Sequence, residues 1–298
     1  MKDFSFWNKY EGNFEGSGRS EKIWLINPDN NQIGLFKYKK DVGTTDNVSE
    51  CIAYDLATII GIPCAKFELG IYEGHEGSIS YNILSNEDEV LTEGINYITQ
   101  RYPLFNVDKS CDEISGDMYS IEMIKEVLDG VVEFKDFLRI PVFDFLIGNT
   151  DRHCSNWAII EKSGEYILSP LYDNSSSLCA YMNANELKIL YEGKDKNKWN
   201  AIVDTKSRST IRCTKDDNIK SGQKHSVVIK YLHDNYYDES KYWCEKVIDK
   251  LDEVTIDRIV EKYTDEELSR IKKEVIKKYL KSKVNLLKKV FFEGNQCQ

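Results

Sequence analysis

The spacing of hydrophobic and polar positions changes along this chain. Residues 22–27 and 32–38 alternate with the two-residue period of strands, and Pro28-Asp29-Asn30-Asn31 supplies turn chemistry between them. The period then lengthens. Ile52, Leu56, Ile59 and Ile60 recur at helical spacing, with Ser49 as a candidate cap, Gly61 as a stop and Pro63 beyond it. Strand character returns at 67–72 and 78–84. Past residue 85 the pattern is mainly helical, over 118–131, 133–147 and several segments within 239–292. A short β segment at 157–160 and 166–168 interrupts it. No internal repeat and no Pro/Gly/Ser linker divides the chain. The order predicts an α+β fold, with a small β-rich lobe carrying one helix (residues 1–84) and a larger, mostly helical lobe (85–298).

Composition narrows the class without naming a function. The 298 residues are 41% hydrophobic and 30% charged, which fits a globular chain and excludes disordered or collagen-like ones. The net charge of −10 disfavours DNA binding, which needs basic surface to displace counterions. No run reaches the length of a membrane span, and the start lacks the apolar core of a signal peptide. A cytoplasmic monomer is expected; export, if it occurs, would need no signal peptide. The eight cysteines are scattered without metal or redox spacing and read as small apolar residues. His225 and His233 have no metal-like neighbours and read as structural. Residues 270–289 hold nine Lys/Arg against one acid, Glu274, at helical spacing with Ile271, Val275, Tyr279 and Leu286. A solvated basic face is expected there, or a dock for an acidic partner or an anionic membrane, and the acid surplus belongs to the rest of the chain.

The candidate chemistry lies in Gly148-Asn149-Thr150-Asp151-Arg152-His153-Cys154-Ser155-Asn156-Trp157. Polar side chains wedged between apolar elements are costly unless used. A hairpin over the following β segment would bring Asp173, in Leu171-Tyr172-Asp173-Asn174-Ser175, beside Asn156. Two carboxylates and an Asn suit phosphoryl transfer, in which one carboxylate orients the attacking hydroxyl and the other groups hold magnesium. The first lobe offers a complement. Backbone amides of Gly16-Ser17-Gly18 could face phosphates. Lys37 shares a strand face with Ile33 and Leu35, so it needs a partner, and Glu50 on the next helix is the candidate.

With Asn149-Thr150-Asp151-Arg152-His153-Cys154-Ser155-Asn156 and Leu171-Tyr172-Asp173, the chain resembles the HipA-like serine/threonine kinases, over roughly residues 12–180. It looks most like their short CtkA-type branch. The resemblance implies a two-lobed protein-kinase-like fold that uses ATP and Mg²⁺ to phosphorylate a protein Ser or Thr. It implies Asp151 as catalytic base, with Lys37 and Glu50 completing the catalytic set and Asn156 and Asp173 as metal ligands. Nucleotide contacts would come from Gly16, Ser17, Gly18, Lys37, Asn156 and Asp173, from the hinge at Tyr81 and Ile83, and from His153, for which a structural role weighs equally. Arg152 is expected to pair with a carboxylate or backbone carbonyls. A small antitoxin-like partner and autophosphorylation at Ser17, Ser20 or Ser175-Ser176-Ser177 are further expectations. A lipid kinase of phosphatidylinositol type and a nucleotide-binding regulator acting by occupancy stay open as alternatives. Asn174-Ser175 after Asp173, in place of Phe-Gly, gives no basis for a glycine-hinged flip of this segment.

Overall fold

The computed structural model describes residues 1–11, 21–86, 88–217 and 222–293. Six strands form the N-lobe sheet: β1 (Lys2–Asp3), β2 (Asn8–Lys9), β3 (Lys22–Ile26), β4 (Ile33–Tyr38), β5 (Phe67–Tyr72) and β6 (His75–Tyr81). Their spatial order is β1-β5-β6-β4-β3-β2, antiparallel except for β1 beside β5. In the β3–β4 register Lys22 lies opposite Lys37 and Trp24 opposite Leu35. Alternation sends Leu25 and Phe36 into a small aromatic core with Phe4, Trp7, Tyr72, Ile79 and Tyr81. Lys22, Trp24, Leu35 and Lys37 take the opposite face, toward the second lobe. The strand expected over 78–84 begins earlier, at His75, because Glu73 and Gly74 adopt positive φ (49° and 81°) and close a tight hairpin with Tyr72 opposite His75.

Helix α1 (Asp46–Ile60) connects β4 to β5 and buries Val48, Ile52, Ala53, Leu56, Ala57 and Ile60. Gly61 ends it with φ 79°, its N–H bonding the Ala57 and Thr58 carbonyls. Ser49 is not its cap. The helix begins at Asp46, and Ser49 is buried in the first turn, where its hydroxyl donates to the Ser177 carbonyl (3.3 Å). Asp46, Asn47 and Glu50 are buried beside it, so this polar turn is an interface with the second lobe.

After β6 come β7 (Val90–Glu93), α2 (Gly94–Arg101), a hairpin of β8 (Phe105–Asn106) and β9 (Cys111–Asp112), α3 (Ile121–Leu128), α4 (Phe134–Phe137) and α5 (Arg139–Ile147). The expected β segment is the antiparallel pair β10 (Ala158–Lys162) and β11 (Glu165–Leu168), to which β7 adds a third strand. Then follow α6 (Ala184–Glu192), α7 (Lys196–Asn200), a ribbon of β12 (Arg208–Ser209) and β13 (Gln223–Lys224), α8 (His225–Asn235), α9 (Tyr237–Lys250), α10 (Glu253–Glu261) and α11 (Arg270–Leu287). Every residue of α5 is buried, which explains its lack of a polar face. It stops at Gly148, whose φ is 67° and where a Cβ would lie 2.0 Å from the Tyr279 hydroxyl oxygen. Conformation and space both demand glycine there. Residues of α1, α3, α5 and α8–α11 share one large core.

Helix α11 departs from the expected solvated basic face. Its inward residues are Val275, Ile276, Tyr279, Leu280, Val284 and Leu287, while Ile271 is exposed and Lys272, Lys273 and Lys283 are buried. The helix packs against α5, α6, α8, α9 and α10, so positions flanking the apolar stripe are covered as well. Acids meet many of its charges: Lys273 with Asp265 (2.6 Å), Lys277 with Glu261 (2.8 Å) and Lys281 with Asp257 (2.9 Å). The segment is therefore a buried strut more than a free basic surface. Among the described residues no helix is long and apolar enough to cross a membrane, and the cysteines are unbridged.

Candidate active site

The loop after α5 is built around one buried ion pair. Arg152 and Asp144 have side chains 1% and 2% exposed and meet at 2.8 Å. The guanidinium also donates to the Asn156 carbonyl (2.8 Å), the Tyr172 carbonyl (2.7 Å) and Asn174 Oδ1 (2.6 Å). It thereby fastens the 149–156 loop to the segment carrying Asp173. Asn149 stands between, donating to Asp144 Oδ1 (3.1 Å) and accepting the Asp151 N–H (3.0 Å). Asp151 itself is exposed. Partial desolvation and the Asp173 charge raise its pKa, against the pull of His153, Lys40 and Arg152. Asn156 donates its amide N–H to the Asp151 carbonyl (2.6 Å), so its amide oxygen is the atom turned outward.

Lys37 joins the lobes. Its Nζ lies 3.4 Å from Glu50 and 3.1 Å from Asp173. Burial pushes the Glu50 carboxyl up to about 7, although Lys37 and the Asn174 N–H (2.8 Å) favour its charged form. Burial alone would also raise Asp173, but Lys37, Arg152 and His153 outweigh it and hold that carboxyl below its usual value. Asp173 has φ 53°, a left-handed conformation that side chains rarely adopt. The strain is held by Arg152 on the Tyr172 carbonyl and by Glu50 on the Asn174 N–H.

A cavity of about 720 Å³ opens between the lobes. Lys22, Lys37, Asn156 and Asp173 line one end; Trp24, Leu35, Phe67, Ile83, Leu91 and Tyr172 supply apolar walls. Tyr81 and Ile83, the residues of the expected hinge, are both among the lining residues. The Tyr81 hydroxyl donates to Glu68, and the N–H groups of Tyr81 and Asn82 bond the Lys66 and Ile33 carbonyls. His153 is not among the lining residues, and its Nδ1 accepts the Ser155 N–H (3.2 Å). Gly16, Ser17, Gly18 and Ser20 lie outside the described residues. Of the serines after Asp173, Ser177 is buried with its hydroxyl on the Asn174 carbonyl (2.6 Å), while Ser175 bonds Asp173 Oδ1 (3.3 Å). Lys22 and Trp24 were missed in the sequence, though the two-residue period already set them on the face opposite Leu25. Asp144 and Asn174 carried no comparable signal.

The HipA-like C-terminal domain profile matches residues 14–225, which contain every group just described. The serine/threonine-protein kinase CtkA of Helicobacter pylori strain J99 is 23% identical over 229 residues, 73% of this chain and 67% of that protein. The crystal structure of a Helicobacter pylori proinflammatory kinase CtkA superposes with a TM-score of 0.78 at 18% identity, covering 98% of both chains. HipA from Shewanella oneidensis MR-1, solved with HipB and operator DNA, gives 0.57 at 12% identity over 94% of this chain and 66% of that one. The two-lobed fold is thus that of CtkA and HipA, and the chain belongs to the HipA-like C-terminal domain family.

Proposed function

We propose that the chain is a kinase that transfers the γ-phosphate of ATP to a serine or threonine hydroxyl of a protein. The observation that carries this reading is the Lys37 ammonium held between Glu50 at 3.4 Å and Asp173 at 3.1 Å, in a cleft also lined by Asn156, whose loop carries Asp151. Lys37, with Lys22 across the strand pair, would bind phosphate oxygens. The apolar walls would take the base, and the Ile83 N–H follows two N–H groups already bonded inside the protein. Asp151, exposed and fixed through its N–H by Asn149, would orient the acceptor hydroxyl and take its proton. The outward amide oxygen of Asn156 and the carboxylate of Asp173 would hold Mg²⁺, which when bound would neutralise phosphate charge. Among the described residues no three His, Cys, Asp or Glu cluster at metal-binding distance. Two protein ligands suit magnesium, which keeps waters and takes phosphate oxygens as its remaining ligands. The CtkA likeness adds the acceptor class.

The test supplies labelled ATP and magnesium to the wild-type chain, with a mixed protein substrate and, in parallel, phosphoinositide vesicles. Label on protein Ser or Thr is expected. Asp151→Asn should lower the rate by about 10²–10⁴-fold with ATP affinity nearly unchanged. Wild-type turnover by that variant would show that Asp151 is not the base, and label confined to the vesicles would replace the protein acceptor by a lipid.

A further inference from the structure

Behind the catalytic loop lies a buried polar chain that the phosphotransfer chemistry does not use. His225 Nε2 is 3.0 Å from the Asn149 carbonyl oxygen, and His225 Nδ1 is 2.9 Å from the Ser207 hydroxyl. Lys283 Nζ, on α11, donates to the same hydroxyl at 2.9 Å. The three side chains belong to residues 1%, 6% and 0% exposed. Burial pushes the His225 imidazole well below its usual pKa and keeps the ring neutral, which fixes the proton order. A carbonyl accepts, so Nε2 must carry the hydrogen, and Nδ1, left bare, accepts from Ser207. The Ser207 oxygen then accepts from Lys283, whose amine can donate in either protonation state. All the donors point toward Asn149, an arrangement in which each bond polarises the next.

We infer that Lys283, Ser207 and His225 form a positioning relay that fixes the Asn149 carbonyl, and through it the place of Asp151. Further observations support it. Asn149 is the residue whose side chain accepts the Asp151 N–H, so the backbone held from behind is the one that aims the loop. The neighbouring Thr150 carbonyl accepts the Thr210 hydroxyl (3.0 Å), so two residues flanking the β12–β13 ribbon, Thr210 after β12 and His225 after β13, grip two successive carbonyls of this loop. Lys283 also lies 4.5 Å above the ring of Phe145, on the helix that delivers the loop. Burial pushes its amine down to about 7, so lysine is a costly choice for filling space that methionine would fill more cheaply. Lys283 stands beyond residues 14–225, so the relay ties the final long helix to the family-matched body.

The inference rests on the kinase reading, and its test keeps the two apart. Lys283→Met, His225→Leu and His225→Gln are made in the full chain. Hydrogen exchange over 149–156 reads the relay directly, even in a protein that transferred no phosphate, which would sink the kinase reading alone. Exchange there is expected to rise several-fold in Lys283→Met and His225→Leu, with α5 unchanged. In the active enzyme kcat should fall about tenfold in both, with the KM for ATP within about twofold. His225→Gln puts an amide N–H near the place of Nε2 and should recover most of the loss. Unchanged loop exchange in Lys283→Met, equal losses in kcat and ATP affinity, or no difference between the Gln and Leu variants would overturn the relay.

Discussion

Arg152 and Asp144 set the strength of the site at the level of single residues. A fully buried guanidinium is tolerable when its charge is paired and its N–H groups are bonded, and Arg152 has Asp144, two carbonyls and the Asn174 amide around it. Removing the carboxylate leaves that cation uncompensated. Asp144→Ala should therefore lower stability by about 3–5 kcal/mol, a large share of the roughly 5–15 kcal/mol available to a native protein. Urea unfolding of the single and double variants with Arg152→Met measures this. The double variant should recover much of the loss, because a neutral side chain no longer needs the partner. A loss below about 1 kcal/mol in Asp144→Ala would mean that the pair does not hold the loop.

At the scale of elements, α11 makes stability depend on pH. The Lys283 amine is held near 7 in the folded chain against an ordinary 10.5. Ser207, His225 and Tyr279 face it, Cys179 and Asp204 act from further out, and burial outweighs them all. Between those two values the unfolded chain binds a proton that the folded chain does not, so stability rises with pH. Buried cysteines and tyrosines act in the opposite sense above their own ordinary values, and they cancel when wild type is compared with Lys283→Met. From pH 7 to 9 the stability advantage of the Met variant should shrink by on the order of 1 kcal/mol per pH unit. A constant difference across that range would show that Lys283 keeps its ordinary pKa. The same helix marks where sequence reasoning stops. Its 3.6-residue period was legible, as was that of α1, because each has an apolar stripe. How many neighbours would cover α11 was not, so Lys272 and Lys283 read as solvated when they are buried. The Lys37–Glu50 pairing was legible because a strand period and the next helix suffice to place both. The partners of Arg152 come from α5, its own loop and the 172–174 segment, and no local pattern brings those together.

The whole molecule divides differently from the order of its chain. Helix α1 lies between N-lobe strands β4 and β5 in sequence, yet Val48, Ile52, Leu56 and Ile60 belong to the large core of the helical lobe, while Leu25, Phe36 and Ile79 form a separate small core. Ties across the boundary run from α1 into the second lobe: the Thr45 N–H to the Ala180 carbonyl (3.1 Å), Ser49 to Ser177, and Asp55 to Lys262 (2.8 Å). Glu50 therefore stands on the helix of the larger core, and the Lys37 strand approaches it from the smaller one. Regions open with free energies set by how much core they share, so the two should separate in native-state hydrogen exchange. Amides of α1 are expected to exchange as slowly as those of α5, and those of β3 and β4 to exchange sooner. Adding ATP with magnesium should slow β3 and β4 while leaving α1 nearly unchanged, since the nucleotide would bridge the two cores through Lys37. Joint exchange of α1 with β3 and β4 would mean that the helix swings with the sheet, and the Lys37–Glu50 pair would then be a switch instead of a fixed part of the cleft.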